Sequence, residues 1–322
     1  MMPMTVAAPV PRVNLATLAF FALAYALSWA PSVWESHSIL PLGPLFAALI
    51  LLAVTGGWAS VRSFLRRIVQ WRVVPHWYLL VLGLPVALTA IAVWLNVLFG
   101  ATEPSWERVP PLAALPGTFL FIMLFIGLGE EPAWRGYALP RLTAGRPALL
   151  GSLLLGVLHA VWHLPLFGLE YDLQNAMPWL VSLLGFTIVS TWLVHRTGGS
   201  LLLPVLFHTS VNVTAKYLFI SLFDGTDTLR LWWVLAGLWA LIALGVVAIA
   251  GRDLGGVDAE GNPTGWSSWP LLANAGSPLR LPLVRVAHHH VCVPAAGSMK
   301  TIRPSADELR RTPSAGQTIC SS

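Results

Sequence analysis

Charge is scarce in this chain. Asp, Glu, Lys and Arg make up 10% of its 322 residues, against about 25% in a typical soluble domain. Apolar residues reach 56%, and mean hydropathy is +0.70. That balance excludes an ordinary soluble enzyme. Cysteine is nearly absent. Cys292 and Cys320 both fall near the C-terminus, which excludes a disulfide scaffold. Basic clusters are missing as well. The net charge is +5, but the bases are spread over short connectors, so nucleic acid is not a partner. The chain also lacks internal repeats. What it has in abundance is long apolar runs. They predict an all-α polytopic membrane protein whose main surroundings are the lipid bilayer.

A transmembrane helix needs about 20 mostly apolar residues. Runs of that kind lie at Asn14–Ser32, Leu40–Trp58, Trp77–Leu98, Gly117–Ala138, Pro147–Gly168, Trp179–Val194, Ser200–Phe223 and Leu231–Ala250. They predict about eight transmembrane helices. Alternate connectors hold Arg12, then Arg62 to Arg72, then Arg141 and Arg146, then Arg196, then Arg252. The other connectors hold Arg108 and Arg230 among Glu35, Glu103, Glu107, Glu170, Asp172, Asp224 and Asp227. By the positive-inside rule both termini are cytoplasmic. The first run carries a small-residue pattern at Ala24-Tyr25-Ala26, yet it continues past that point and reads as a retained helix rather than a signal peptide. Between Ser60 and Arg72, apolar residues interleave with Arg62, Arg66 and Arg67, which predicts an amphipathic segment on the inner membrane surface.

Composition changes after Arg252. Residues 1–252 form the predicted helical bundle, and residues 253–322 read as a largely disordered cytoplasmic tail rich in Gly, Pro and Ser. His288, His289 and His290 beside Cys292 read as an incidental cluster. Cys320 is third from the end, whereas a prenylation box needs its Cys fourth, so the chain is not itself a prenylation target.

Ionisable groups inside membrane spans are costly and mark functional sites. Three spans carry them. The fourth has Glu130-Glu131-Pro132-Ala133-Trp134-Arg135. Burial and mutual repulsion disfavour charging both carboxylates, a setting that suits one of them to proton transfer. Arg135 lies one helical turn beyond Glu131 and can pair with it, which frees Glu130. Gly127, Gly129 and Pro132 predict a kink or a restart here. The fifth span has His159 and His163 four apart on one face, without the glutamate of the HExxH zinc pattern. His159 reads as a hydrogen-bonded packing residue. The seventh has His208 and Asn212, again four apart. Such a pair serves as an oxyanion donor set or as glue between helices. Together the spans supply a base, a water positioner and oxyanion donors, so hydrolysis needs no Ser or Cys nucleophile.

These motifs resemble those of the CAAX protease and bacteriocin-processing (CPBP) family, also called the type II CAAX endopeptidase or Abi family. Its Glu-Glu-x-x-x-Arg motif matches Glu130, Glu131 and Arg135, followed by Gly136-Tyr137 and Leu139-Pro140-Arg141-Leu142. Its histidine motif matches Trp162-His163-Leu164-Pro165, and its His-x-x-x-Asn motif matches His208 and Asn212. One position departs from the pattern: the aromatic residue four before the histidine is His159 here.

The resemblance implies an intramembrane endopeptidase. Glu130 would activate water, His163 would help hold it, and His208 with Asn212 would stabilise the tetrahedral intermediate, supported by Glu131 and Arg135. A divalent metal such as Zn2+ on Glu130, His163 and His208 and a metal-free mechanism both stay open, with zinc expected to be dispensable. The expected substrate is a membrane-associated protein or peptide. The expected location is a cell membrane, with water entering from the cytoplasmic side or a lateral gap. Arg outnumbers Lys by 17 to 2, which points to a GC-rich bacterial genome. The rival readings are a non-catalytic scaffold or self-immunity protein on the same fold, and a proton-coupled transporter.

Overall fold

In lipid a backbone must satisfy its own hydrogen bonds, which leaves helices as the way to bury long apolar runs. The computed structural model describes residues 15–33, 39–219 and 222–256, all within one compact unit, Met1–Leu281. Each apolar run holds one helix. These are α1 (Leu15–Trp29), α2 (Gly43–Ile68), α3 (His76–Leu98), a composite α4 (115–143), α5 (Ala148–Trp162), α6 (Ala176–Arg196), α7 (Leu202–Leu218) and α8 (Gly225–Ala250). No strand occurs among the described residues; Phe167 and Tyr171 form an isolated bridge. α2, α3, α6, α8 and the stretch containing α4 are long and apolar enough to cross a membrane, and α1 and α5 are shorter apolar helices. The chain is a multi-pass membrane protein.

Sequence neighbours α1 and α2 pack together, as do α5 and α6. The ends of α1 and α5 meet where Trp29 Nε1 donates to the Trp162 carbonyl at 3.0 Å. One apolar core joins α1, α2 and the second half of α4 through Phe20, Phe64, Trp134 and Tyr137. Another joins α3, α6, α7 and α8 through Val81, Leu193, Phe207 and Trp239. The outer surface exposes large apolar side chains such as Leu79, Trp94, Leu241 and Ile249, as a lipid-facing surface requires.

The expected break in the fourth span takes another form. α4 runs α-helical over Leu115–Ile122, π-helical over Met123–Gly127, α-helical over Leu128–Glu131, π-helical over Pro132–Ala138 and α-helical over Leu139–Thr143. Pro132 keeps right-handed angles, φ −59° and ψ −40°. Proline lacks an N–H and its ring crowds the carbonyl of the preceding turn. A widened π turn relieves that crowding without ending the helix.

The amphipathic stretch at Ser60–Arg72 also differs. It is largely the second leg of α2, which bends at Gly57, φ 63° and ψ −170°. Val61, Phe64 and Arg67 are buried, while Arg62 and Arg66 are exposed. Its apolar side packs on the protein core rather than on lipid alone. The ordered bundle continues past the expected boundary at 252, because Leu254 is fully buried and its carbonyl accepts from His195 Nδ1 at 3.0 Å. Arg12, Glu35, the histidine cluster, Cys292, Cys320 and the rest of the tail lie outside the described residues.

Candidate active site

A helix rotates about 100° per residue, so the adjacent carboxylates of α4 point to different neighbours. Glu131 takes the buried side. Its Oε1 accepts from Arg135 Nη1 at 3.0 Å and from His208 Nδ1 at 2.8 Å, so the expected pairing within α4 forms and reaches across to α7. Glu131 and Arg135 are fully buried. Arg135 also lies over the Phe186 ring, 5.1 Å from its centroid.

Glu130 takes the other side and lines a cavity of about 900 Å³, a size usual for ligand sites. Its Oε2 lies 2.9 Å from His159 Nε2 on α5. His163, one turn on, donates from Nδ1 to the His159 carbonyl at 3.0 Å, which leaves Nε2 as its free nitrogen. Trp179 packs edge-on against the His163 ring, centroids 5.0 Å apart and planes at 65°. His208 and Asn212 line the same cavity from α7.

The sequence-derived residues thus converge from α4, α5 and α7. Glu130, His163, His208 and Asn212 share the cavity, with Glu131 and Arg135 behind it. The metal-capable grouping differs from the expected Glu130, His163 and His208. Glu130, His159 and His163 each offer a ligand atom, and these atoms all lie within 4.8 Å of one another. His208 spends Nδ1 on Glu131 instead. A buried set of two imidazoles and one carboxylate fits a divalent metal such as zinc, and the His163–carbonyl bond is the kind of outer contact that fixes a ligating imidazole. His159 does pack, against Trp134 and Trp162, and in addition it holds Glu130.

The cavity also has residues that sequence reasoning did not single out. Glu170 and Tyr171 reach it from the connector after α5, and Lys216 from α7. Lys216 follows His208 by eight residues on the same helix, the spacing that could have marked it. Partial desolvation at the cavity mouth raises the pKa of the Glu170 carboxyl from its ordinary value, although its surface stays exposed.

Residues 112–214 match the family model described as type II CAAX prenyl endopeptidase Rce1-like. The matched stretch contains all three motifs, from Glu130 to Asn212. The CAAX prenyl protease 2 of Methanococcus maripaludis is 24% identical over 196 residues, which cover 56% of this chain and 71% of the relative.

Proposed function

We propose that this chain is a CPBP-type endopeptidase that hydrolyses a peptide bond in a membrane-associated protein or peptide, in a cell membrane. The supporting observation is the convergence of Glu130, His159 and His163 within 4.8 Å on a cavity that also presents His208 and Asn212. The reaction needs a base, a held water and donors for the developing oxyanion.

Glu130 is the base, taking the proton from the attacking water. His159 donates to its other face and orients it. His163 keeps Nδ1 protonated against a carbonyl, so its Nε2 accepts from the water and holds it. His208 reaches the oxyanion through Nε2, which donates only when the ring carries both protons; Glu131 at 2.8 Å then balances the charge. Asn212 supplies a second donor through its amide. Glu130 then returns the proton to the leaving amine. A divalent metal held by Glu130, His159 and His163 would supply Lewis-acid polarisation of the water, and His159 Nε2, without its proton, would then bind the metal in place of its hydrogen bond to Glu130. Apolar lining residues such as Phe121, Ile126, Leu183 and Trp232 suit an apolar peptide segment.

The test compares membranes carrying the wild-type chain with membranes carrying Glu130→Gln at equal abundance, mapping new peptide termini by mass spectrometry. Termini present only with wild type are expected. Identical termini in a host that contains the natural partners would move the reading to a scaffold or immunity protein.

A further inference from the structure

The bundle has two chemically distinct ends, and the cavity belongs to one of them. The arginine-bearing connectors gather at the first end. Arg67 Nε donates to the Gly199 carbonyl at 2.9 Å, and Ser200 Oγ to the Gln70 carbonyl at 2.8 Å. The Leu149 amide donates to the Arg252 carbonyl at 2.9 Å. These bonds join the connector after α2 to the one after α6, and the start of α5 to the connector after α8; Arg62 to Arg72, Arg141 with Arg146, Arg196 and Arg252 lie in these connectors or on the helix ends beside them. Among the described residues the acid at this end is Asp253.

The second end is acidic. The Ser105 amide donates to the Leu222 carbonyl at 3.0 Å, the Thr102 amide to Asp227 Oδ2 at 2.9 Å, and Arg108 Nη1 to Asp224 Oδ2 at 2.7 Å. Those connectors and the helix ends beside them, with the connector after α5, hold Glu103, Glu107, Glu170, Asp172, Asp224 and Asp227 against Arg108, Lys216 and Arg230.

The cavity is lined from the acidic end. α4 contributes Gly117 to Glu130 and nothing beyond. α5 contributes its last turn and the connector that follows, α6 its first three turns, α7 the stretch from His208 to Lys216 with Phe219 just beyond its end, and α8 the stretch from Trp232 to Trp239. The exposed lining residues Gly117, Phe121, Glu170 and Lys216 all lie toward this end. Toward the arginine end the way is closed, since every residue from Glu131 to Pro140 is buried.

Lys and Arg bias sets the orientation of membrane proteins, with the basic connectors in the cytoplasm and acids contributing little. We infer that the catalytic cavity opens on the membrane face away from the cytoplasm, so that the peptide it cuts is presented from that side. This rests on the protease reading and narrows its substrate class to segments of exported or outward-facing membrane proteins. It departs from the first of the two expected water routes, the cytoplasmic side, and is compatible with the second, a lateral gap.

The test uses the full chain with Cys292 and Cys320 changed to Ser, and one added cysteine at a time. Gln174→Cys and Glu103→Cys report the cavity end, and His76→Cys the arginine end; all three positions are exposed. Intact cells are treated with a membrane-impermeant maleimide, and lysed cells serve as the reference. Labelling of Gln174→Cys and Glu103→Cys in intact cells, with His76→Cys labelled only after lysis, is the expected result. Labelling of His76→Cys in intact cells, or protection of both cavity-end cysteines until lysis, overturns the inference and leaves the protease reading untouched. Absence of termini that depend on Glu130 removes the protease reading and leaves the labelling pattern standing.

Discussion

The two halves of α4 share one helix and have opposite fates. Up to Glu130 the helix is half-buried, and its residues at 118, 122, 126 and 130 repeat every turn along the cavity wall. From Glu131 to Pro140 every residue is buried, and Trp134, Tyr137, Ala138 and Leu139 belong to the core shared with α1 and α2. Two neighbouring carboxylates fall on either side of this divide. Glu130 faces the space where a substrate fits. Glu131 closes an ion pair with Arg135 and a hydrogen bond with His208. The difference teaches that the doubled glutamate is not a doubled catalyst. On the proposed reading one carboxylate does the chemistry, and the other fixes the groups around it.

Substitutions can break each half separately. Removing one partner of a buried ion pair costs about 3–5 kcal/mol, so Arg135→Ala should lower the melting temperature in detergent and the yield of folded protein more than any change on the cavity side. Asn212→Ala should leave melting nearly unchanged while cutting kcat about 10²–10³-fold, the usual cost of losing one oxyanion donor. A change confined to KM would contradict its place in the site. His159→Phe installs the aromatic residue of the CAAX-protease histidine motif and removes the 2.9 Å contact with Glu130. A hydrogen bond to a charged group contributes about 1.5–3 kcal/mol, so activity should fall about ten- to a hundredfold with abundance unchanged. Wild-type activity in His159→Phe would reduce His159 to packing alone.

Much of this was legible in the sequence. The apolar runs each became one helix, because length and hydropathy fix where a chain can lie in lipid. The Glu131–Arg135 pair was readable because the turn of a single helix brings residues four apart together. Contacts between helices were harder. Spacing within α5 placed His159 and His163 on one face, but whether His159 or His208 joins Glu130 depends on how α5 and α7 pack against α4. The π turns were hidden for a similar reason. Gly127, Gly129 and Pro132 signal a fault in the helix, and packing decides whether the fault becomes a kink or a wide turn. At Gly129 the packing leaves no room for a side chain, since a Cβ there would collide with the Pro41 carbonyl. The end at which the cavity opens required both the charge pattern of the connectors and the position of the lining residues along each helix.

The most direct measurement of the central claim compares wild type, Glu130→Gln and Glu131→Gln in the same membranes, reading melting temperature and new peptide termini from each. The division of roles predicts that Glu130→Gln melts like wild type and yields none of the new termini, while Glu131→Gln melts lower. Wild-type termini from Glu130→Gln, or equal losses of stability in the two variants, would contradict it.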